Sequence, residues 1–194
     1  DTSLKFKDKK YFRIVKGAMH TRQYKTGSVE RLSVLEKQGI DVRFKGWSDN
    51  TDHILLCPSS PMVTQFVNDM SQDEWVDRVK SELKQHTDRP IRFRNKPRPG
   101  NEWWDKDIKD DLKNAHALIT NMSLASVDAI INQVPVLTHA NNVGYRVSIN
   151  NLPNINTPYK PPREIVEPWL NWLSHNQFTV PEIESGLAYK ILNE

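Results

Sequence analysis

Apolar and polar positions alternate along this chain in two distinct rhythms, and the change between them sets out its architecture. Residues 53–57 (His-Ile-Leu-Leu-Cys) form a short apolar run, the pattern of a strand buried on both faces. Pro58-Ser-Ser-Pro61 breaks the run. Ser71-Gln-Asp-Glu74 has the form of a capping box, and Trp75, Val76, Val79 and Leu83 follow at helical spacing, which predicts a helix over 72–86. Ile91 and Phe93 then alternate with Arg92 and Arg94, predicting a second strand over 91–94, and the proline-rich stretch 96–100 reads as a loop. Ile108 and Leu112 lie one turn apart in a short polar helix over 107–114. A third strand is predicted at 117–120, a helix at 123–133 with Leu124, Val127, Ile130 and Ile131 inward, and a fourth strand at 135–138. Strand and helix alternate throughout, so the expected fold class is α/β: a three-layer, Rossmann-like parallel sheet with helices on its faces and right-handed crossovers.

The flanks are patterned differently. Residues 11–16 and 40–45 alternate like half-buried strands, and a Ser-x-x-Arg start at Ser28 precedes Leu32, Val34 and Leu35, which suits a short helix. After a loop over 154–162 that carries Pro158, Pro161 and Pro162, two C-terminal helices are predicted at 163–175 and 181–192. The chain therefore divides into a basic N-terminal segment (1–50) with one or two strands, a Rossmann-like core (51–150) and a C-terminal loop with helices packing on the core (151–194).

Composition narrows the class. With 194 residues, 37% of them hydrophobic, the chain can bury a core and is not wholly disordered. No apolar run approaches the roughly 20 residues that span a bilayer, so no membrane partner is expected. No leader is visible, and the opening on Asp1 reads as a trimmed or processed end. The single cysteine, Cys57, ends an apolar run and reads as a core residue in a reducing, cytoplasmic compartment. No cluster suits zinc and no Asp-x-Asp motif is present, so no metal is expected. Net charge is only +3, yet Lys5, Lys7, Lys9, Lys10, Arg13, Lys16, Arg22 and Lys25 crowd one arm against Asp8 alone. That arm reads either as a solvated basic face or as a footprint for phosphate, including nucleic acid.

Chemistry concentrates in the turns beyond the predicted strands, where open parallel sheets hold ligands. Ser59 and Ser60 follow the first strand; Arg94, Lys96 and Arg98 follow the second, with Arg92 on the same face as Arg94. Thr120, Asn121, Ser123 and Ser126 follow the third and open a helix, with Ser123 as the expected N-cap. Hydroxyls and N–H groups at a helix start, next to mobile cations on what is expected to be the adjoining strand, suit a phosphate-bearing ligand.

Residues 116–137 (His-Ala-Leu-Ile-Thr-Asn-Met-Ser-Leu-Ala-Ser-Val-Asp-Ala-Ile-Ile-Asn-Gln-Val-Pro-Val-Leu) resemble the nucleotide-sugar half of GT-B glycosyltransferases and sugar-nucleotide epimerases. Residues 86–98 resemble the strand and basic loop of capsule-type sugar transferases. The stretch 53–190, with Ile-Leu-Leu-Cys-Pro-Ser-Ser, His-Thr-Asp-Arg-Pro-Ile, the Thr-Asn-x-Ser turn, Trp-Leu-Asn-Trp-Leu and Asn-Gln-Phe-Thr-Val-Pro-Glu-Ile, is similar to small glycosyltransferase-like proteins of bacteriophages. The resemblance implies a nucleotide-sugar donor with no separate cofactor, its pyrophosphate on Ser123 and the following N–H groups, and its ribose on Asp128. It also implies an acceptor, phage DNA among the candidates, in the host cytoplasm. Two positions depart from the pattern: Asp128 stands where Glu is usual, and Gln133 where Gly is usual, which suggests a different loop there. Residues 1–50 are too short for a second Rossmann-like half, so the acceptor half is missing, reduced or supplied by a homo-oligomer or a partner chain. Candidate bases are His139, His20 and Asp52. The alternative on the same fold is a non-catalytic protein that sequesters a nucleotide or signal molecule.

Overall fold

The computed structural model describes residues 5–6, 9–10, 12–14, 31–37, 43–148 and 151–193. These fall into two compact units, one of residues 45–161 and one combining 1–44 with 162–194. The division thus groups the C-terminal helices with the N-terminal segment.

The unit over 45–161 is the α/β core. Its elements are β1 (His53–Leu56), α1 (Pro61–Asn68), α2 (Gln72–Leu83), β2 (Ile91–Phe93), α3 (Ile108–Leu112), β3 (Ala115–Thr120), α4 (Ala125–Ile131) and β4 (Val136–Thr138). The strands form one sheet in the order β2-β1-β3-β4, and every pairing is parallel. This is the expected α/β class with a four-stranded parallel sheet, consistent with a Rossmann-like fold. All residues of β1, β3 and β4 are buried, which is why they read as apolar runs rather than alternating ones. β2 lies at the edge with Arg92 exposed, a charge that discourages edge-to-edge pairing.

The order reverses direction once. From β1 the chain moves outward to β2, then returns past β1 to β3 and β4. Right-handed crossovers require the helices of those two excursions to lie on opposite faces, and they do. Ile54, Leu56, Ile91, Phe93, Ala117, Ile119 and Leu137 point to the face covered by α2, through Trp75, Val76, Val79 and Leu83. α4 packs on β3 and β4, and α3 on β3 and α4, on the other side. The Ser71 capping box is formed as expected, with Ser71 Oγ accepting from Glu74 N at 3.2 Å and Glu74 Oε2 from Ser71 N at 2.8 Å. A bonded pair of this kind stabilises a helix start by about 1 kcal/mol.

Three expectations are corrected. Pro58-Ser-Ser-Pro61 does not simply break the chain: Pro61 occupies the first turn of α1, where its missing N–H costs nothing. The helix expected over 123–133 starts only at Ala125, with Leu124 rather than Ser123 as N-cap. Gln133 was expected to impose a loop unlike a glycine turn, yet its φ is +67°, the left-handed region glycine favours.

In the other unit, helix Arg31–Lys37 buries Leu32 and Leu35, and Phe12–Arg13 pairs antiparallel with Gln177–Phe178. Buried Arg31 donates to Glu182 Oε1 at 2.6 Å and to the Gln177 carbonyl at 3.2 Å, and lies over the Phe178 ring. Helix Arg163–Ser174 forms where expected. The helix expected over 181–192 is two, Val180–Glu184 and Leu187–Asn193, separated by Gly186 at φ +78°. Residues 43–45 form no strand; 40–42, 11, 15–16 and 28–30 lie outside the described residues.

Because Gln133 holds a conformation that disfavours a Cβ, Gln133→Gly is expected to raise the stability of the chain by up to about 1 kcal/mol. Gln133→Val, β-branched, should lower it by at least as much. Urea denaturation midpoints of the two variants check both signs.

Candidate functional site

The strand order reverses between β1 and β3, and in parallel sheets the crevice that holds ligands lies beyond the carboxyl ends of the strands at such a point. Two turns meet there, residues 57–60 after β1 and 120–123 after β3, and they are laced together. Cys57 N donates to the Ile119 carbonyl at 2.8 Å, Ser59 N to Asn121 Oδ1 at 2.8 Å, and Met122 N to Ser59 Oγ at 3.0 Å. Asn121, 1% exposed, also donates through Nδ2 to Thr64 Oγ1 at 3.1 Å and Asn68 Oδ1 at 2.9 Å on α1.

This lacing sorts the sequence-predicted residues. Asn121 and Ser59 are buried and committed to the protein. Thr120, also buried, accepts from Ser123 N at 3.2 Å. Ser126 is fully buried and donates to Asn142 Oδ1 at 2.8 Å and to the Ser123 carbonyl at 3.1 Å. Ser60 and Ser123 remain half-buried at the crevice. Among the described residues Ser60 makes no side-chain hydrogen bond and Ser123 Oγ only accepts, from Ala125 N at 3.2 Å, so neither hydroxyl proton has an acceptor there. The exposed first turn of α1 begins beside Ser60, and its Met62 and Val63 N–H groups are first-turn donors without a helical acceptor.

The basic residues are placed differently from expectation. β1 lies between β2 and β3, so the Arg92–Arg98 stretch does not adjoin the 120–126 turn. Arg94 is not a mobile cation: it is 4% exposed, ion-paired with Asp111, and donates to the Lys106 carbonyl at 2.6 Å. Arg92, Lys96 and Arg98 are exposed, and their side chains make no hydrogen bond or ion pair among the described residues. Their loop is nevertheless tied toward the crevice. Gln72 Nε2 donates to the Ser59 carbonyl at 2.5 Å and to Asn95 Oδ1 at 3.4 Å, which brings the start of the basic loop beside the β1 turn.

His139 follows β4 directly, half-exposed at the same edge of the sheet; its N–H donates to the Asn121 carbonyl at 3.3 Å and its Nδ1 accepts from Asn141 N at 3.2 Å. With Nδ1 accepting, Nε2 carries the proton in the neutral ring. Asp52 precedes β1 and so lies at the opposite, amino edge, away from the crevice. His20 lies outside the described residues. Asp128 is half-buried on α4, on the side toward α3. Burial first, and then the Asp107 carboxylate, push its carboxyl up to about 7, against the pull of Lys109 and Arg94. Burial likewise raises the thiol of Cys57. Among the described residues no group of His, Cys, Asp and Glu converges to hold a metal ion, and no helix is long and apolar enough to cross a membrane.

The sequence reading missed Asn142 and Gly144. Asn142 Nδ2 donates to the carbonyls of Asn121 at 3.2 Å and Ser123 at 3.1 Å, and Asn142 Oδ1 accepts from Gly144 N at 2.8 Å. A Cβ on Gly144 would stand 3.2 Å from Ser126 Oγ. The pairing Asn-x-Gly in an otherwise apolar turn was the available signal.

Asn121→Ala strands the buried Ser59 N–H, so it should cost about 1–3 kcal/mol of stability in chemical denaturation. The raised Asp128 carboxyl has its own signature. Its value is 3.8 in an unfolded chain and about 7 when folded, so folding favours the protonated form. Its contribution is fully present below about pH 4 and is lost as the pH rises to about 7. Asp128→Asn should therefore melt higher than the parent at pH 8, with the gap closing toward pH 4 in a thermal series. Comparison with protein-family models, with curated proteins and with solved structures finds no match to this chain.

Proposed function

We propose that the chain binds the diphosphate of a nucleotide sugar in the crevice between β1 and β3, and that it is a glycosyltransferase-like protein. One observation carries the reading: the strand order reverses at two hydroxyl-bearing turns that are braced against each other, while half-buried Ser60 and Ser123 in those turns keep hydroxyl protons without an acceptor among the described residues. The bracing supplies rigidity, which lowers the ordering cost of binding. Ser60, Ser123 and the first-turn N–H groups of α1 donate to the diphosphate. Lys96 and Arg98, on the loop tethered through Gln72, add charge. Arg94 shapes the site indirectly, by fixing α3 through Asp111. His139 lies at this edge; with Nδ1 accepting and Nε2 protonated it acts as a hydrogen-bond donor, and serving as a base toward an acceptor requires the other tautomer.

Calorimetric titration with UDP and UDP-glucose tests the site. Ser60→Ala with Ser123→Ala should weaken UDP about tenfold, and Lys96→Ala with Arg98→Ala by a similar factor that shrinks as salt rises. A parent that binds no nucleotide, or variants that bind like the parent, would overturn it. Release of free sugar or transfer to added DNA or glycan supports the transferase; tight binding that returns UDP-glucose unchanged supports sequestration.

A further inference from the structure

The opposite edge of the same sheet carries a second concavity. It has a volume of about 520 Å³ and is lined by Thr51, His86, Thr87, Asp88, Arg89 and Asn156. That size suits a small metabolite. Thr51 leads into β1, residues 86–89 lead into β2, and Asn156 comes from the segment after residues 152–154, so the concavity sits at the amino ends of the two strands.

Arg89 is the unusual member. Its Nε donates to the Thr51 carbonyl at 3.0 Å, and its Nη1 to Thr87 Oγ1 at 3.2 Å and to Asn156 Oδ1. Asn156 is itself anchored through Nδ2 to the His86 carbonyl. Behind it, His116 holds the same segments together, its ring nitrogens 3.0 Å from the Asn50 carbonyl and 2.7 Å from the Ile155 carbonyl. The guanidinium is thus fixed by neutral groups and makes no ion pair among the described residues. Of its five N–H donors three are engaged, and the two on Nη2 have no acceptor among the described residues. Unlike Arg92 and Arg98, which are exposed without such bonds, this guanidinium is held in one orientation by three neutral acceptors while its charge stays without a carboxylate among the described residues.

The remaining lining is polar, and His86 brings the single ring among these residues, with no Phe, Tyr or Trp beside it. The lining presents the Thr51 and Thr87 hydroxyls and the exposed Asp88 carboxylate, groups that pair with sugar hydroxyls. We infer that this concavity binds a sugar phosphate, with the Arg89 guanidinium on the phosphate and Asp88, Thr51 and Thr87 among the hydroxyls.

The test is amide chemical-shift mapping on the full chain with glucose 6-phosphate, orthophosphate and glucose as separate probes at millimolar concentration. Glucose 6-phosphate should shift residues 51, 86–89 and 156 and bind more tightly than either of the others. Arg89→Gln should weaken it at least tenfold, while UDP still shifts residues near 60 and 123. Asp88→Asn should weaken glucose 6-phosphate and spare orthophosphate. Should Arg89→Gln fail to fold, Thr87→Val removes a hydroxyl that positions Nη1 and should weaken binding severalfold. No shift at these residues in the parent, equal binding of orthophosphate and glucose 6-phosphate, or parent-like affinity in the folded variants would each overturn the assignment.

Discussion

The side-chain amide of Asn121 is the contact on which the carboxyl edge of this sheet depends. Where the strand order reverses, the turns after β1 and β3 run off toward opposite faces, and the ladder that joins the strands stops. Backbone groups there would be left without partners in a buried setting, which is costly. One asparagine answers several of these demands: it caps the Ser59 N–H and reaches both Thr64 and Asn68 on α1. Ser59 reciprocates through Met122. Position 121 thereby joins sequence-distant segments.

A second constraint governs the basic residues. Arg92 lies within β2 and Arg94 directly follows it, but only Arg92 meets water. Arg94 meets Asp111, whose carbonyl also accepts from His53 Nε2 at 2.9 Å. A buried guanidinium without a carboxylate would be strongly destabilising, so the pair is as much a requirement of burial as a source of stability. Placing a cation here fixes α3 against the sheet and leaves the exposed positive charge to Lys96 and Arg98, further along the loop.

Much of the fold was written in local pattern. β1 and β3 are covered on both faces, so their apolar runs could be read without knowing what covers them. α2 announced itself through Ser71 and Glu74. α1 did not, because Pro58 and Pro61 resemble a break, and only the tertiary position of Asn121 shows a helix whose Thr64 and Asn68 face the core. Along its outer side Met62 and Phe66 are exposed, which removes the apolar stripe that periodicity relies on. For the site, residue types in the turns were legible, but their division into bracing and open groups was not. Ser59 and Ser60 are neighbours of one type, and their fates differ because one is buried and accepts from Met122 N while the other is half-buried with no side-chain cap bond. The partnership of Arg94 with Asp111 spans a stretch that no local rule connects.

The burial of Cys57 at the end of β1 gives the crevice a built-in clock. The thiol is 3% exposed, and burial also holds it protonated, so an alkylating reagent cannot attack it while the turns stay laced. Modification requires the 57–60 turn to part from the 119–122 segment. The rate of labelling in native buffer therefore reports how often that edge of the sheet opens, and a molecule bound in the crevice slows the reaction in proportion to its occupancy.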